Sequence, residues 1–419
     1  MSRLEHEAEI LKLARFLDVD AEALDMLGEV PAADIRALRA QVTHYFFASD
    51  HHFFKRLVTA SRLLPVSLLA TVAGKVLGPM LSARVAGQMD VDRGVGIAQR
   101  LPTAFLAELC LSLDPDHTQD LIRAMPTQRI RDVACALAEQ AEYVTMARFV
   151  DIITEDAIRG VLEDLQDDAA LLHIAFFVEN KARLERILAL MPETRLVRII
   201  ELAAARNDLW PEALSLMEHV GDGWRGRLGD LAASLDDHVL DSMIRSVVAE
   251  DLWSVVLPVV GCMQIESQAR FAMHPSMQEP EMLRSALLAA DRERTWHLLL
   301  PVVEQMDDSA CAAVARQIDA LDGEQLLRIA DVAASEGQWQ ALLAIIAAME
   351  SQQRAQMIAL LGVAPERTLK GLPEACEASR QWALLEDCWS DLGENAQARL
   401  RAAVVAAGLE TRLPEARPS

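Results

Sequence analysis

Hydrophobic residues recur at intervals of three and four along most of this 419-residue chain, the spacing that gathers them on one face of an α-helix. Between 323 and 362 the pattern is clearest. Leu326, Ile329, Ala330 and Ala333 predict a helix from about Gly323 to Glu336. Trp339, Leu342, Leu343, Ile346 and Met349 predict a second starting at Gln338, and Met357, Leu360 and Leu361 a third from about Ser351. At the other end, Leu4, Ile10, Leu11, Leu13 and Ala14 among charged positions predict a helix from about Arg3 to Phe16.

The helical pattern itself repeats. Trp210, Trp253, Trp296, Trp339 and Trp382 each stand 43 residues after the one before. Ten positions later come Val220, Met263, Met306, Met349 and Leu392, and thirteen positions earlier Val197, Leu240, Leu283, Leu326 and Leu369. Six positions before each Trp stands Ala204, Val247, Ala290, Ala333 or Cys376, mostly small residues that let the first and second helices approach closely. Such a period indicates helical units stacked one on the next. The expected fold is all-α, a right-handed α-solenoid of 43-residue three-helix repeats. A unit of this kind resembles an armadillo repeat, with the two-helix HEAT unit as near neighbour. The stripe partners place the five tryptophans in the repeat core, bridging rung to rung. The alternative is a ladder of exposed rings gripping an extended peptide.

The predicted organisation is 1–50, N-terminal helices; 51–89, an apolar basic segment; 90–197, irregular helical repeats; 198–412, five 43-residue repeats; and 413–419, a tail. Glu386 and Asp387 make the last repeat polar where earlier ones are not, as a terminal cap requires. Asp236, Asp307 and Asp322 read as helix N-caps. Pro258 and Pro301, five residues after their tryptophans, bend the second helix of their repeats. His274, in a proline-broken stretch, has no evident partner.

The segment 51–89 stands apart. It contains no acidic residue, whereas Lys55, Arg56, Arg62, Lys75 and Arg84 punctuate an apolar background. The run from Pro65 to Leu81 is too short, and too interrupted by Gly74, Lys75, Gly78 and Pro79, to cross a bilayer comfortably. It reads either as two buried helices joined at Gly78-Pro79 or as a segment lying in a membrane interface, with the five basic residues meeting anionic headgroups.

Between these regions, Leu101-Pro102, Asp114-Pro115 and Met125-Pro126 mark the starts of short helices. The stretch LPTAFLAELCLSLDPDHTQDLIRAMPTQRIRDVACAL resembles the cytosolic N-terminal helical domain of MgtE-type magnesium transporters, over about residues 90–200. The resemblance implies a helical domain and suggests a divalent-cation-responsive regulator. The family's paired nucleotide-type modules and membrane domain have no counterpart, so transport is not implied. MPTQRIRDVACALAEQ and MPETRLVRIIELAAAR match each other 66 positions apart, which extends the repeats ahead of the first Trp.

A formal charge of -23 argues against nucleic acid as the principal ligand and favours a basic protein or peptide. No phosphate loop, GxSxG elbow, HExxH pair or CxxC pair occurs, so no catalytic, cofactor-binding or metal-binding residues are expected and the protein is read as a non-enzyme. Asp18 to Glu29 partly matches a calcium loop but has Ala23 where the turn needs glycine, so Asp18 and Asp20 read as helix caps. His44, His51 and His52 lack companion ligands, and Tyr45, Phe46, Phe47, Phe53 and Phe54 read as core. Six cysteines without paired spacing read as reduced thiols, and the acidic start lacks the apolar run of a secretory signal, so a cytoplasmic location is expected. The expected function is a non-catalytic scaffold binding a protein or peptide on the solenoid surface. The alternatives are a peripheral membrane adaptor using 51–89 and the cation-responsive regulator.

Overall fold

The structure, a computed structural model, describes residues 3–48, 58–59, 61–180, 182–318, 321–389 and 392–412, without the side chains of 44–48 and 411. His51, His52, Phe53, Phe54, Lys55 and Arg56 therefore lie outside the described residues, as do the side chains of His44, Tyr45, Phe46 and Phe47. The fold is all-α, with no strand among the described residues. The chain forms two compact units, Met1–Ala203 with Pro211–Val220, and Ala204–Trp210 with Gly221–Ser419.

In the first unit, helix Arg3–Leu17 packs against Ala32–Ala48 around Leu13, Ala14, Leu24 and Ile35. Glu9 is buried in this hairpin, at 2.9 Å from Lys12 Nζ and 3.1 Å from Arg36 Nη2. Burial alone would raise its pKa; the positive charges of Lys12, Arg39 and Arg36 outweigh that and hold the carboxyl below its ordinary range. Between residues 103 and 177 helices stack on alternate neighbours in the chain. Thr127–Glu139 lies between Thr103–Ser112 and Glu155–Asp164, and Tyr143–Val150 packs on Asp168–Phe177.

The repeated Met-Pro segment has a physical reason in this stacking. Arg129 donates to the carbonyls of Ala98 and Leu101, and Arg195 to those of Leu162 and Leu165, closing carbonyl ends that a helix cannot satisfy internally. Pro102 and Pro126 sit just ahead of their helices, at the N-cap rather than the first turn, where a fixed φ near -60° sets the entry angle.

The second unit is built from three-helix rungs. The first helices are Asp237–Ala249, Pro280–Arg292, Gly323–Glu336 and Leu372–Ser379; the second are Trp253–Cys262, Trp296–Val303, Trp339–Ala348 and Ala383–Cys388. The third are Ile265–Ala272, Asp308–Gln317, Ser351–Val363 and Glu394–Ala406. Like stacks on like: Asp237–Ala249 on Pro280–Arg292, Trp253–Cys262 on Trp296–Val303 on Trp339–Ala348, and Ser351–Val363 on Glu394–Ala406. Gly226, in helix Asp222–Ser234, lies so close to Trp253–Cys262 that a methyl group there would collide with the Cys262 carbonyl.

All five repeat tryptophans are buried. The Trp210 and Trp253 indoles donate to Ser242 and Ser285, each 32 residues on and in the following rung, at 2.8 and 2.9 Å. Trp339 donates to the Lys370 carbonyl at 2.8 Å, whereas Trp296 and Trp382 donate back to Asp291 and Glu377 of their own rungs. A further column lies fifteen residues after each Trp. Gln268 donates to the carbonyls of Val260 and Met263, Gln397 to those of Trp389 and Leu392, and Arg354 to those of Ile346, Ala347 and Met349. Each closes the carbonyl end of its rung's second helix.

Several local expectations change. Asp307 and Asp322 cap their helices through their side chains, Asp322 in a capping box with Gln325, but Asp236 occupies the N-cap position without a side-chain hydrogen bond. Asp20 likewise makes no cap bond, and Asp18 takes a left-handed φ of 56° at the end of the first helix. His274 is buried and partnered: its Nε2 lies 3.2 Å from the Asp237 carbonyl and its Nδ1 accepts from the Ser276 amide.

The indole positions give a direct test. Trp253 is fully buried, so Trp253→Ala should cost about 3–5 kcal/mol of unfolding free energy, whereas Ser285→Ala, which strands only the indole N–H, should cost about 1–3 kcal/mol. Urea unfolding followed by circular dichroism measures both. A Trp253→Ala loss below that of Ser285→Ala would contradict a core role.

Candidate functional site

Helical hydrogen bonding runs from Val66 to Ala86, first as α-helix Val66–Val72, then as a π turn Ala73–Leu77, then as Gly78–Ala86. By length and mean hydropathy, 1.5, these 21 residues pass the test for a membrane-crossing helix, contrary to the sequence expectation. The backbone does not pass it as cleanly. Gly78 adopts φ 74° and ψ 174°, a conformation open to glycine and foreign to a helix, so the segment is broken at Gly78-Pro79 as its composition predicts.

Of the two readings of this segment, burial holds for one side only: 28% of its most apolar 18-residue window is buried. Of the fourteen exposed large hydrophobic side chains among the described residues, four fall here, Leu68, Val76, Met80 and Leu81, and two more, Leu63 and Leu64, lie just ahead of the span, so the exposure is concentrated rather than scattered. The inner face is served by Leu69, Ala70 and Ala73, which pack with Ile97, Leu101 and Leu106. An alternating demand explains the two faces. The π turn rotates the helix register by widening one turn, and an apolar sequence on all sides leaves apolar groups outward wherever only one side finds a neighbour.

The sequence-predicted basic contacts are spread along this segment. Arg62 precedes it, exposed and 3.4 Å from Asp90; Lys75 sits exposed in the π turn; Arg84 lies half-buried near its end. Sequence reasoning missed Arg93, whose Nη2 donates to the carbonyls of Ser61 and Leu64 at 2.9 and 2.7 Å and so fixes the approach to the helix. It also missed Ser82, which is buried with a hydroxyl that has no hydrogen-bond partner. Such an unmet hydroxyl costs about 1–3 kcal/mol. No spacing rule would have marked either residue, because both roles depend on which helix lies opposite.

Beneath the segment lie two apolar cavities of the first unit. The outer, about 280 Å³, is lined from above by Leu69, Val72, Ala73, Leu77 and Ser82. The inner, about 210 Å³, runs between the stacked helices that follow. Cys110 lines the inner one, and burial, only partly opposed by Arg148, pushes its thiol up to about 12, which makes it a poor nucleophile.

Elsewhere some buried polar atoms, among them Asp151 Oδ1 and Thr295 Oγ1, also lack a hydrogen-bond partner, but one buried carboxylate is fully engaged. Asp291 accepts from Arg328 at 2.9 and 2.7 Å, from Gln325 at 2.9 Å and from the Trp296 indole at 3.3 Å. The Arg328 bonds above all, joined by those of Gln325 and Trp296, bring its carboxyl down to about 2 against the cost of burial. Burial likewise raises Cys376 to about 12. Among the described residues no group of three His, Cys, Asp or Glu side chains could hold a metal ion.

The Asp291 network has a pH signature. Its folded pKa lies below the unfolded value of about 3.9, so its stabilisation is complete above about pH 4 and is lost as pH falls toward 2. Asp291→Asn should lower stability at pH 7 and flatten this part of the acid unfolding profile, measured by thermal melts from pH 7 to 2; an unchanged acid slope would count against it.

Comparison with models of known protein families, with characterised proteins and with solved structures found no match for the chain.

Proposed function

We propose that this protein is a non-catalytic helical-repeat adaptor that attaches to an anionic membrane surface through the segment Val66–Ala86. The observation that carries this reading is the concentration of exposed apolar side chains along that segment, within a stretch of the chain free of acidic residues. Apolar side chains entering the headgroup boundary supply affinity, and Arg62 and Lys75 add attraction to anionic lipid. The break at Gly78 favours a segment lying in the interface over one crossing it. Six free thiols fit a reducing compartment, so the attachment is assigned to the cytoplasmic face.

The second unit supplies the adaptor's other half. Its like-on-like stacking supports reading it as a right-handed armadillo- or HEAT-type array, and the alternate stacking between residues 103 and 177 supports a domain of the MgtE N-terminal kind. With the indoles turned into the core, a protein or peptide partner would meet polar, largely acidic faces of the rungs, which favours a basic partner.

Vesicle sedimentation tests the attachment. The full chain should pellet with phosphatidylcholine vesicles containing phosphatidylglycerol, more weakly with phosphatidylcholine alone, and less as salt rises. Lys75→Ala should weaken binding roughly fivefold, from about 1 kcal/mol per basic residue. Leu68→Glu combined with Val76→Glu should abolish it while the thermal melt stays unchanged, both side chains being exposed. Failure of the unaltered chain to pellet, or undiminished pelleting of the double variant, would refute the reading.

A further inference from the structure

The two cavities of the first unit are neighbours in more than position. Ala98, Leu106, Leu109, Leu113 and Leu121 line both, so they form a common wall and junction. Each exceeds the volume of about 150 Å³ that suffices for benzene in a dry protein cavity. Their chemistry is graded. The outer cavity carries two hydroxyl residues, Ser61 and Ser82, whereas the inner one is lined almost wholly by aliphatic side chains, with Arg129 as its charged member. Its Nη groups are committed to the Thr103 hydroxyl and to the carbonyls of Ala98 and Leu101, while its Nε is buried without a partner.

Ser82 points to what the outer cavity takes. It is 93% buried, since its residue exposure is 7%, and its Oγ has no partner, although a helical serine ordinarily reaches a backbone carbonyl one turn back. A buried hydroxyl beside an apolar space is a hydrogen-bond donor awaiting an acceptor carried by an otherwise apolar molecule. A long hydrocarbon tail with one carbonyl at its end has this form.

We propose that these chambers bind a single acyl chain, its carbonyl oxygen accepting from Ser82 Oγ in the outer chamber and its tail passing the Ala98–Leu121 junction into the inner one. The acceptor oxygen belongs to the carboxyl group of a free fatty acid or to the ester of a single-chain phospholipid; both carry an acceptor oxygen at the head of the same kind of tail. Arg93 holds Ser61 and Leu64 at the outer chamber's edge, beside the exposed apolar face, which is where a chain leaving a lipid surface would enter.

Isothermal calorimetry with the full chain tests this without any vesicle, so its outcome is separable from that of membrane attachment. The probes are octanoic, decanoic and dodecanoic acids and dodecanoyl lysophosphatidylcholine, all below their critical micelle concentrations. One-to-one saturable binding is expected, tightening roughly fourfold per added methylene until the chambers are filled. Ser82→Ala should weaken dodecanoic acid about five- to tenfold while leaving the chain-length dependence intact. Ala98→Trp should block the junction and remove the gain from decanoic to dodecanoic acid; Leu121→Phe, a smaller addition at the same junction, serves if the tryptophan variant does not fold. Binding of the acid alone, or of the lysolipid alone, supports the chambers and identifies the source of the chain. Absence of saturable heat with every probe, or dodecanoic acid binding unaltered by both junction variants, would overturn the proposal.

Discussion

A chain folded into many short helices multiplies helix ends, and each end leaves backbone carbonyls that the helix cannot satisfy itself. Stacking buries those ends, so an unpaired carbonyl there is costly. The structure depends on how this is met. Arg129, Arg195, Gln268, Arg354 and Gln397 each place a planar donor group over two or more terminal carbonyls. The donors stand at the third or fourth residue of one helix and reach the end of another, so closing an end also fixes how the two helices meet. Ridge-and-groove packing alone would leave several registers close in energy; a two-carbonyl contact selects among them.

The same logic accounts for polar residues that look out of place. Asp291 is buried in an apolar unit, yet it gathers Arg328 and Gln325 from the next rung and Trp296 from its own. A carboxylate so committed has no lone pair to spare for chemistry and is a joint between rungs. Where the pairing fails, the failure is informative. Ser82 and the outward face of Val66–Ala86 are places where neither the hydroxyl nor the apolar groups find a protein partner, and the functional proposals rest there.

The repeat was legible because its cause is periodic: the same indole fills the same gap between rungs every 43 residues, and helix Gly323–Glu336 begins and ends where its apolar spacing and Asp322 cap place it. The column at Gln268, Arg354 and Gln397 was equally periodic and went unseen, since Arg225 and Cys311 interrupt its chemistry; aligning the rungs on their tryptophans would have exposed it. Capping was legible in part. Asp307 and Asp236 have the same residue type in the same place, but only the first turns its carboxylate to the helix amides, a choice of rotamer that no pattern records. Burial of the 66–86 segment was not legible, because hydropathy reports that a surface is apolar and not whether another helix exists to cover it.

The overall charge of the chain opposes the proposed attachment to an anionic surface. Sixty-three acidic residues against forty basic ones give a net repulsion when the chain is treated as a point. At physiological ionic strength, however, exposed charges are screened beyond about 8 Å, so a membrane meets only the charges beside the inserted segment. Along the chain, this segment carries Arg62 and Lys75, and the next acidic residue, Asp90, is paired with Arg62. Under the proposed attachment, acidic residues elsewhere in the chain would disfavour poses that bring them against anionic lipid. In the proposed attachment, charge asymmetry along the chain would favour this contact over others, and the exposed leucines, valine and methionine would supply its affinity.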